Sequence, residues 1–218
     1  ELKTPLVSIC NASALLYELF KEELSDKAKD LVKIIMKGGE RLEELVQNLI
    51  DVSRIESGKL NLNLKDVDIT KIIKECIEDL YFQLKTREIC IEFNKNKSVI
   101  LAVDSIRFKQ VIMNLLINAI KYTPPGGSIS ILLDKNDKNL EIKIIDDGIG
   151  FTSEEKKLIF KKFGKIERYG QGVDVISDGS GLGLYISKEI VNAHHGIIRV
   201  ESEGRNKGSI FIISLPWI

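Results

Sequence analysis

Two carboxamides stand four residues apart, Asn114 and Asn118, in the otherwise apolar stretch NLLINAIKY at 114–122. On a helix such a pair shares one face. Two amides there are costly unless something satisfies them. Hydrogen bonds to backbone at the edge of a core would do so. So would a Mg²⁺ held by the Asn118 amide oxygen, with water and phosphate completing the octahedron. Lys121, close to one turn further on, would then neutralise phosphate charge. A second cluster, DDGIG at 146–150, follows an apolar strand. The Asp146 carboxylate at a strand end can accept from an amino group such as that of adenine. Gly148 and Gly150 let the backbone turn sharply and approach a flat ligand. A surface hairpin turn reads the same way. A third cluster, Gly179, Gly181, Leu182, Gly183 and Leu184, opens a helix whose N–H groups favour phosphate. Its spacing is not the dinucleotide fingerprint, and no Gly-Lys-Ser/Thr follows, so it is not a P-loop. A structural loop is the alternative. Between the second and third clusters lie FKKF at 160–163 and the glycine-rich polar stretch 165–180. A long segment without periodicity inside a compact domain usually serves as a lid or binding loop.

The elements that must position these groups fall into two textures. Residues 1–60 read as helical. Leu31, Ile35, Gly38, Leu42, Leu45, Leu49 and Val52 alternate steps of four and three, a heptad seam that packs helix on helix. Ser25 is the expected N-cap, Asp26 supports the first turn, and Gly58 is the expected stop. Upstream, Leu2, Leu6, Ile9, Leu16 and Phe20 form a shorter stripe. The connection at 22–25 is short, so the helices should run antiparallel. A lone hairpin buries little, and a second copy completing a four-helix bundle is the expected solution; packing of both stripes on the second region is the alternative. From about residue 63, helices (69–85, 105–122, 153–160, 182–193) alternate with strands (87–93, 98–103, 128–133, 140–145, 197–203, 209–215). Helices and hairpins sharing one sheet predict an α+β fold: a helical hairpin, 1–62, then a two-layer α/β sandwich, 63–218.

Composition narrows the function classes. The chain has 218 residues, and 32 Lys+Arg balance 32 Asp+Glu. A zero net charge argues against nucleic acid held by a general basic surface. Apolar residues at 44% and charged residues at 29% mark a globular chain, not a disordered one. The longest apolar runs, at 99–103 and 210–213, are far below the roughly 18 residues that cross a bilayer. No secretory signal opens the chain. Cys10, Cys76 and Cys90 have no metal-binding spacing, and scattered reduced thiols suit a cytoplasmic setting. Two histidines, His194 and His195, are too few for a His-based metal site.

Taken together and in this order, the clusters resemble the ATP-binding domain of the sensor histidine kinases. The N box is similar to 114–122, the G1 box to 146–150, the F box to 160–163 and the G2 box to 179–184. GSIF at 208–211 resembles the last glycine box. The resemblance implies a Bergerat-type sandwich with an ATP lid over 165–180. It places Asp146 on the adenine amino group and Mg²⁺ on Asn118, with Asn114 helping to position the metal and its waters. Lys121 and the helix start at 181–184 would hold phosphates, and Lys165 sits where the family often places a basic residue near the triphosphate. Tyr122, Gly148, Gly150, Phe163, Gly179 and Ser209 belong to the same implied nucleotide-binding set.

The amino terminus extends the resemblance. ELKTPL at 1–6 is similar to the H box, H-E-x-x-T-P, of the dimerisation and phosphotransfer domain, without its histidine. The acceptor is therefore expected immediately before Glu1, with the chain cut there. His194 and His195 do not substitute, because they end a helix of the other domain. By the resemblance, Glu1 takes a proton from the acceptor imidazole or orients it. Thr4 implies a phosphatase activity by positioning water. The implied partners are a second copy through 1–62 and the receiver domain of a response regulator, with Leu6, Ile9 and Cys10 as contact candidates. An ATPase of the same superfold would carry a glutamate where Asn114 stands. A non-catalytic dimerising scaffold would not need Asn118, Asp146 and the glycine boxes.

Overall fold

Caps written in the sequence start and stop the first helices. In the computed structural model, which describes residues 3–93, 97–164 and 180–217, α1 spans Lys3–Phe20 and α2 spans Asp26–Glu56. The Ser25 hydroxyl accepts from the Ala28 N–H and Asp26 sits in the first turn of α2. Gly58 ends it at φ +65°, with the Lys59 N–H returning to the Arg54 carbonyl at 2.9 Å. The two helices form one compact unit, Glu1–Lys59; Leu60–Ile218 form the other.

Through its first turns α2 packs on a row one residue out of phase with the expected seam, while the seam's own Val52 is buried near the end of the helix. A Cβ placed on buried Gly39 would lie 2.6 Å from Cys10 Sγ, so α1 and α2 approach closely there. Gly38 has nothing within 4 Å. Val32, on the Gly39 row, is buried, whereas Leu31 (61%), Ile35 (50%), Leu42 (49%) and Leu49 (52%) stay exposed. Heptad spacing correctly marks an apolar face; it does not say which helix covers it.

In the second unit, β1 (Lys65–Asp68) pairs antiparallel with β3 (Ile100–Val103) as a separate ribbon. Five further strands make a mixed sheet: β2 (Cys90–Glu92), β4 (Ser128–Lys135), β5 (Asn139–Asp146), β7 (Ser209–Pro216) and β6 (Ile197–Glu201), in that spatial order. Among the described residues only the β2–β4 pair is parallel. Helices α3 (Ile69–Asp79), α5 (Ser105–Tyr122) and α7 (Gly183–Ala193) form the second layer, with α5 between the other two. Ile129, Ile131, Ile142, Ile144 and Ile213 from the sheet meet Phe108, Ile112, Leu115 and Leu116 from α5, all nearly or fully buried. Each such side chain contributes about 1.5–3 kcal/mol.

Local expectations change in four places, one being the helix expected over 153–160, which shortens to Ser153–Lys156. The single helix at 69–85 breaks at Leu80, whose φ −96° and ψ 3° separate α3 from α4 (Tyr81–Thr86). The break lets Leu80 and Leu84 stay buried while Tyr81 and Phe82 face out. The strand at 87–93 shrinks to three residues, because Glu88 takes φ +56° and pairing to β4 begins only at Cys90. The strand β1 is additional. Its KDVD sequence is too short and polar to announce itself, and β3 is what defines it.

Candidate functional site

Strand periodicity places the central acid. Along β5 the inward row is Leu140, Ile142, Ile144 and then Asp146, so a carboxylate ends a row of core side chains. Asp146 is 6% exposed. Register sets Ser209 of β7 directly opposite. The Ser209 hydroxyl donates to Asp146 Oδ2 at 2.5 Å, and the Gly148 N–H donates to Oδ1 at 2.9 Å. Burial holds the Asp146 carboxyl above the ordinary carboxylate value, and neighbouring Asp147 adds to this. The Ser209 and Gly148 bonds oppose the shift without cancelling it.

The glycines after Asp146 are required first by the protein's own atoms. A Cβ on Gly148 would lie 2.5 Å from the Tyr122 carbonyl oxygen. One on Gly150, at φ +60°, would lie 2.1 Å from the Gly204 carbonyl oxygen. Backbone bonds then fix the 148–151 segment. The Ile149 N–H donates to the Tyr122 carbonyl at 3.2 Å, and the Gly208 N–H to the Gly148 carbonyl at 2.9 Å. The Phe151 N–H reaches Ser202 Oγ at 3.0 Å. A capping box between Thr152 and Glu155 starts α6 (Ser153–Lys156), and Arg205 pairs with the same Glu155. Asp147 turns away, accepting from both the N–H and the hydroxyl of Ser128 at 2.9 Å.

The two carboxamides ride on α5, capped by Asp104, whose Oδ1 accepts from the Arg107 N–H at 3.1 Å. Burial pushes the Asp104 carboxyl up, but the N–H groups of Asn63, Arg107 and Ile106 outweigh it and hold the group below its usual value. The buried stripe of α5 faces the core, and Asn114 and Asn118 sit half-buried on its flank. Asn114 Nδ2 donates to Ser187 Oγ on α7 at 2.8 Å. A Cβ on Gly183 would lie 2.3 Å from Asn114 Oδ1, so any larger residue at the start of α7 would displace the Asn114 carboxamide. No side chain caps that start; buried Leu182 anchors it, and its N–H is taken by Ser180 Oγ. The other end of α7 is tied to α5 by buried His194. Its Nε2 accepts from the Asp104 N–H at 3.0 Å, and its Nδ1 bonds the Ile190 carbonyl at 2.8 Å. This tautomer is neutral, and burial lowers the His194 pKa.

A shallow, open cleft is lined by Asn118, Tyr122, Asp146, Ile149, Gly150, Phe151, Ser209 and Phe211. Five residues singled out from the sequence, Asn118, Tyr122, Asp146, Gly150 and Ser209, therefore meet in one place. Gly148 lies directly behind Asp146. Asn114 meets Gly183 where α5 touches α7, while Gly181 (φ +71°) and Leu182 precede that helix and Leu184 lies in its first turn. Lys121 lays its ammonium 5.2 Å from the centre of the Tyr122 ring. Phe163 is not in the lining: at φ +57° it is 57% exposed, and Phe160 instead packs edge-on against Phe211. Thr4 is exposed on α1 of the other unit. Glu1, Lys165 and Gly179, with most of the expected lid, lie outside the described residues. The sequence reading missed Ser187, which shares a helix face with Gly183 four residues earlier, and Ser202, which sits in the turn between paired strands β6 and β7 and meets the Phe151 N–H from far along the chain. Among the described residues no group of three or more His, Cys, Asp or Glu suits a metal ion. No helix among them is long and apolar enough to cross a membrane.

Comparison with known proteins converges on one family. Residues 103–217 match the histidine kinase-, DNA gyrase B- and HSP90-like ATPase profile, and residues 1–58 match the His Kinase A (phospho-acceptor) domain. The circadian input-output histidine kinase CikA of Synechococcus elongatus is 29% identical over 99% of this chain and 28% of its own length. Sensor protein SrrB of Staphylococcus aureus is 31% identical over 99% of this chain and 36% of its own. The chain thus spans well under half of these curated relatives. The solved structure of Acinetobacter baumannii histidine kinase AdeS superposes with a TM-score of 0.73 at 25% identity, covering 100% of this chain and 97% of that one.

Proposed function

Because this chain belongs to the histidine kinase-, DNA gyrase B- and HSP90-like ATPase family and carries a phospho-acceptor domain ahead of that region, we propose that it is the core of an ATP-dependent sensor histidine kinase. Residues 1–62 are the dimerisation and phosphotransfer hairpin, and 63–218 bind ATP. The observation that carries this reading is the meeting of Asn118, Tyr122, Asp146, Gly150 and Ser209 around one cleft.

The donor set fits MgATP. Asp146 keeps lone pairs beyond those used by Ser209 and Gly148, enough to accept from the adenine amino group. Ile149, Phe151 and Phe211 give the cleft apolar walls for a flat ring. Asn118 would supply an amide oxygen to hold Mg²⁺, and Asn114 would help position the ion. Bound there, Mg²⁺ neutralises charge spreading over the phosphoryl oxygens. The uncapped start of α7, with Gly181, Gly183 and Leu184 around the buried anchor Leu182, offers N–H groups to phosphate. Lys121 and Lys165 add positive charge, with Phe163, Gly148 and Gly179 in the surrounding segments.

In the reaction, an imidazole nitrogen of a histidine immediately before Glu1 attacks the γ-phosphorus of ATP in line. The N–P bond forms, the bond to ADP oxygen breaks, and Glu1 takes the proton from the other ring nitrogen. The phosphoryl group then passes to an aspartate of a response regulator docked on the hairpin. Thr4, exposed on the same hairpin, positions water to hydrolyse that phosphoaspartate. Ile9, Leu19, Leu31, Ile34 and Ile35 are each at least half exposed, an apolar face that supports pairing with a second copy in a four-helix bundle. The chain acts in the cytoplasm.

The test incubates a chain extended by its preceding residues with γ-labelled ATP. Acid-labile, base-stable label on the residue before Glu1 is expected. Steady release of free phosphate without protein label would point to an ATPase of the same superfold. Absence of nucleotide binding would leave a dimerising scaffold.

A further inference from the structure

Ser187 lies outside the lining of the cleft, yet it is the buried partner of Asn114. Gly183 and Ser187 are one turn apart on α7 and therefore share a face. Both meet the same carboxamide. Gly183 lies against its oxygen, and Ser187 Oγ accepts from its nitrogen at 2.8 Å. Ser187 is 2% exposed, so water does not compete for that bond. An amide presents an acceptor at one end and donors at the other, and its terminal torsion has two nearly equivalent settings. In the arrangement observed, Nδ2 is held by Ser187 and Oδ1 lies at the start of α7; without that bond neither end of the carboxamide is held by a side chain of α7.

We propose that Ser187 is a positioning residue: by accepting from Asn114 Nδ2, it holds the Asn114 carboxamide oxygen on the metal and phosphate side of the site. The proposal rests on the reading of the cleft as an adenine-nucleotide and Mg²⁺ site. It also separates two halves of that site. The adenine end depends on Asp146 and Ser209, which Ser187 does not touch. The metal end depends on how Asn114 is set.

The experiment measures ATP affinity calorimetrically, with Mg²⁺ and with chelator, for this chain and for Ser187→Ala, Ser187→Val and Ser187→Thr. Val and Thr have the same shape, but only Thr keeps the acceptor, so their difference removes packing from the comparison. Ser187→Ala and Ser187→Val should reduce the Mg²⁺-dependent tightening about fivefold, with Mg²⁺-free affinity within about twofold of the parent, while Ser187→Thr retains it. Asn114→Ala should show the same loss, and adding Ser187→Ala to it should cost nothing more. Undiminished tightening in Ser187→Val overturns the proposal, as does an equal fall with and without Mg²⁺, or losses that add in the double variant. If the parent chain binds no ATP, or binds it without regard to Mg²⁺, the functional reading fails and the proposal fails with it.

Discussion

Replacing Asp146 by Asn isolates what its charge does. The two side chains have the same shape, so the Gly148 N–H keeps its acceptor at Oδ1. The Ser209 hydroxyl, now 2.5 Å from Oδ2, rotates to accept from the new NH₂ group. Folding therefore loses neither bond. It also no longer buries a carboxylate whose pKa burial has raised, so the melting temperature should hold or rise. Binding behaves differently. The lone pair that would receive the adenine amino group becomes an N–H donor facing a donor. A hydrogen bond to a charged group contributes about 1.5–3 kcal/mol, which is about 10- to 150-fold in Kd. The same swap suits a purine with an oxygen at that position, so preference for ATP over GTP should narrow. Titration calorimetry with MgATP and MgGTP, paired with thermal unfolding, reads all three outcomes. Unchanged ATP affinity in Asp146→Asn, with the fold intact, refutes the assignment of Asp146 to the base.

Other perturbations act elsewhere in the molecule. Gly150→Ala forces a Cβ into the left-handed region and against the Gly204 carbonyl, and should destabilise the second unit by at least about 1–2 kcal/mol in urea unfolding. His194 is held neutral: burial lowers its pKa most, the Ile190 carbonyl and Asp104 oppose that, and His195 adds to the lowering. Its folded pKa lies below the unfolded value near 6.5, so its contribution is complete above pH 6.5 and is lost as pH falls toward the folded value. Thermal unfolding across that window should show the loss, and His194→Gln should flatten it. Leu31→Glu combined with Ile35→Glu should convert a dimer to monomers in sedimentation, because both side chains are at least half exposed on the free apolar face.

What the sequence disclosed followed periodicity. Asp146 was readable because an apolar alternation runs into it, and the strand does carry it inward as the fourth member of its row. Asn114 and Asn118 were readable because helical spacing puts both on one flank of a long apolar stripe. Less visible was anything decided between elements. The heptad seam named an apolar face, but Gly39 against Cys10, not Gly38, marks where the hairpin closes. Leu80 is apolar and in phase, so nothing local announced the break between α3 and α4. The glycines of 148–150 suggested room for a ligand; their first duty is to admit the Tyr122 and Gly204 carbonyls. Ser187 carries no motif and acquires a role only when α7 lies beside α5.

The central claim is that one cleft binds the adenine end of ATP while the start of α7 takes its phosphates. Backbone amide chemical shifts, followed by NMR as MgATP is added to this chain, test it most directly. Saturable shifts at Asn118, Gly148, Gly150, Ser209, Gly183 and Leu184 are the predicted result. Saturation without movement at those amides, or no saturable change at all, would contradict it.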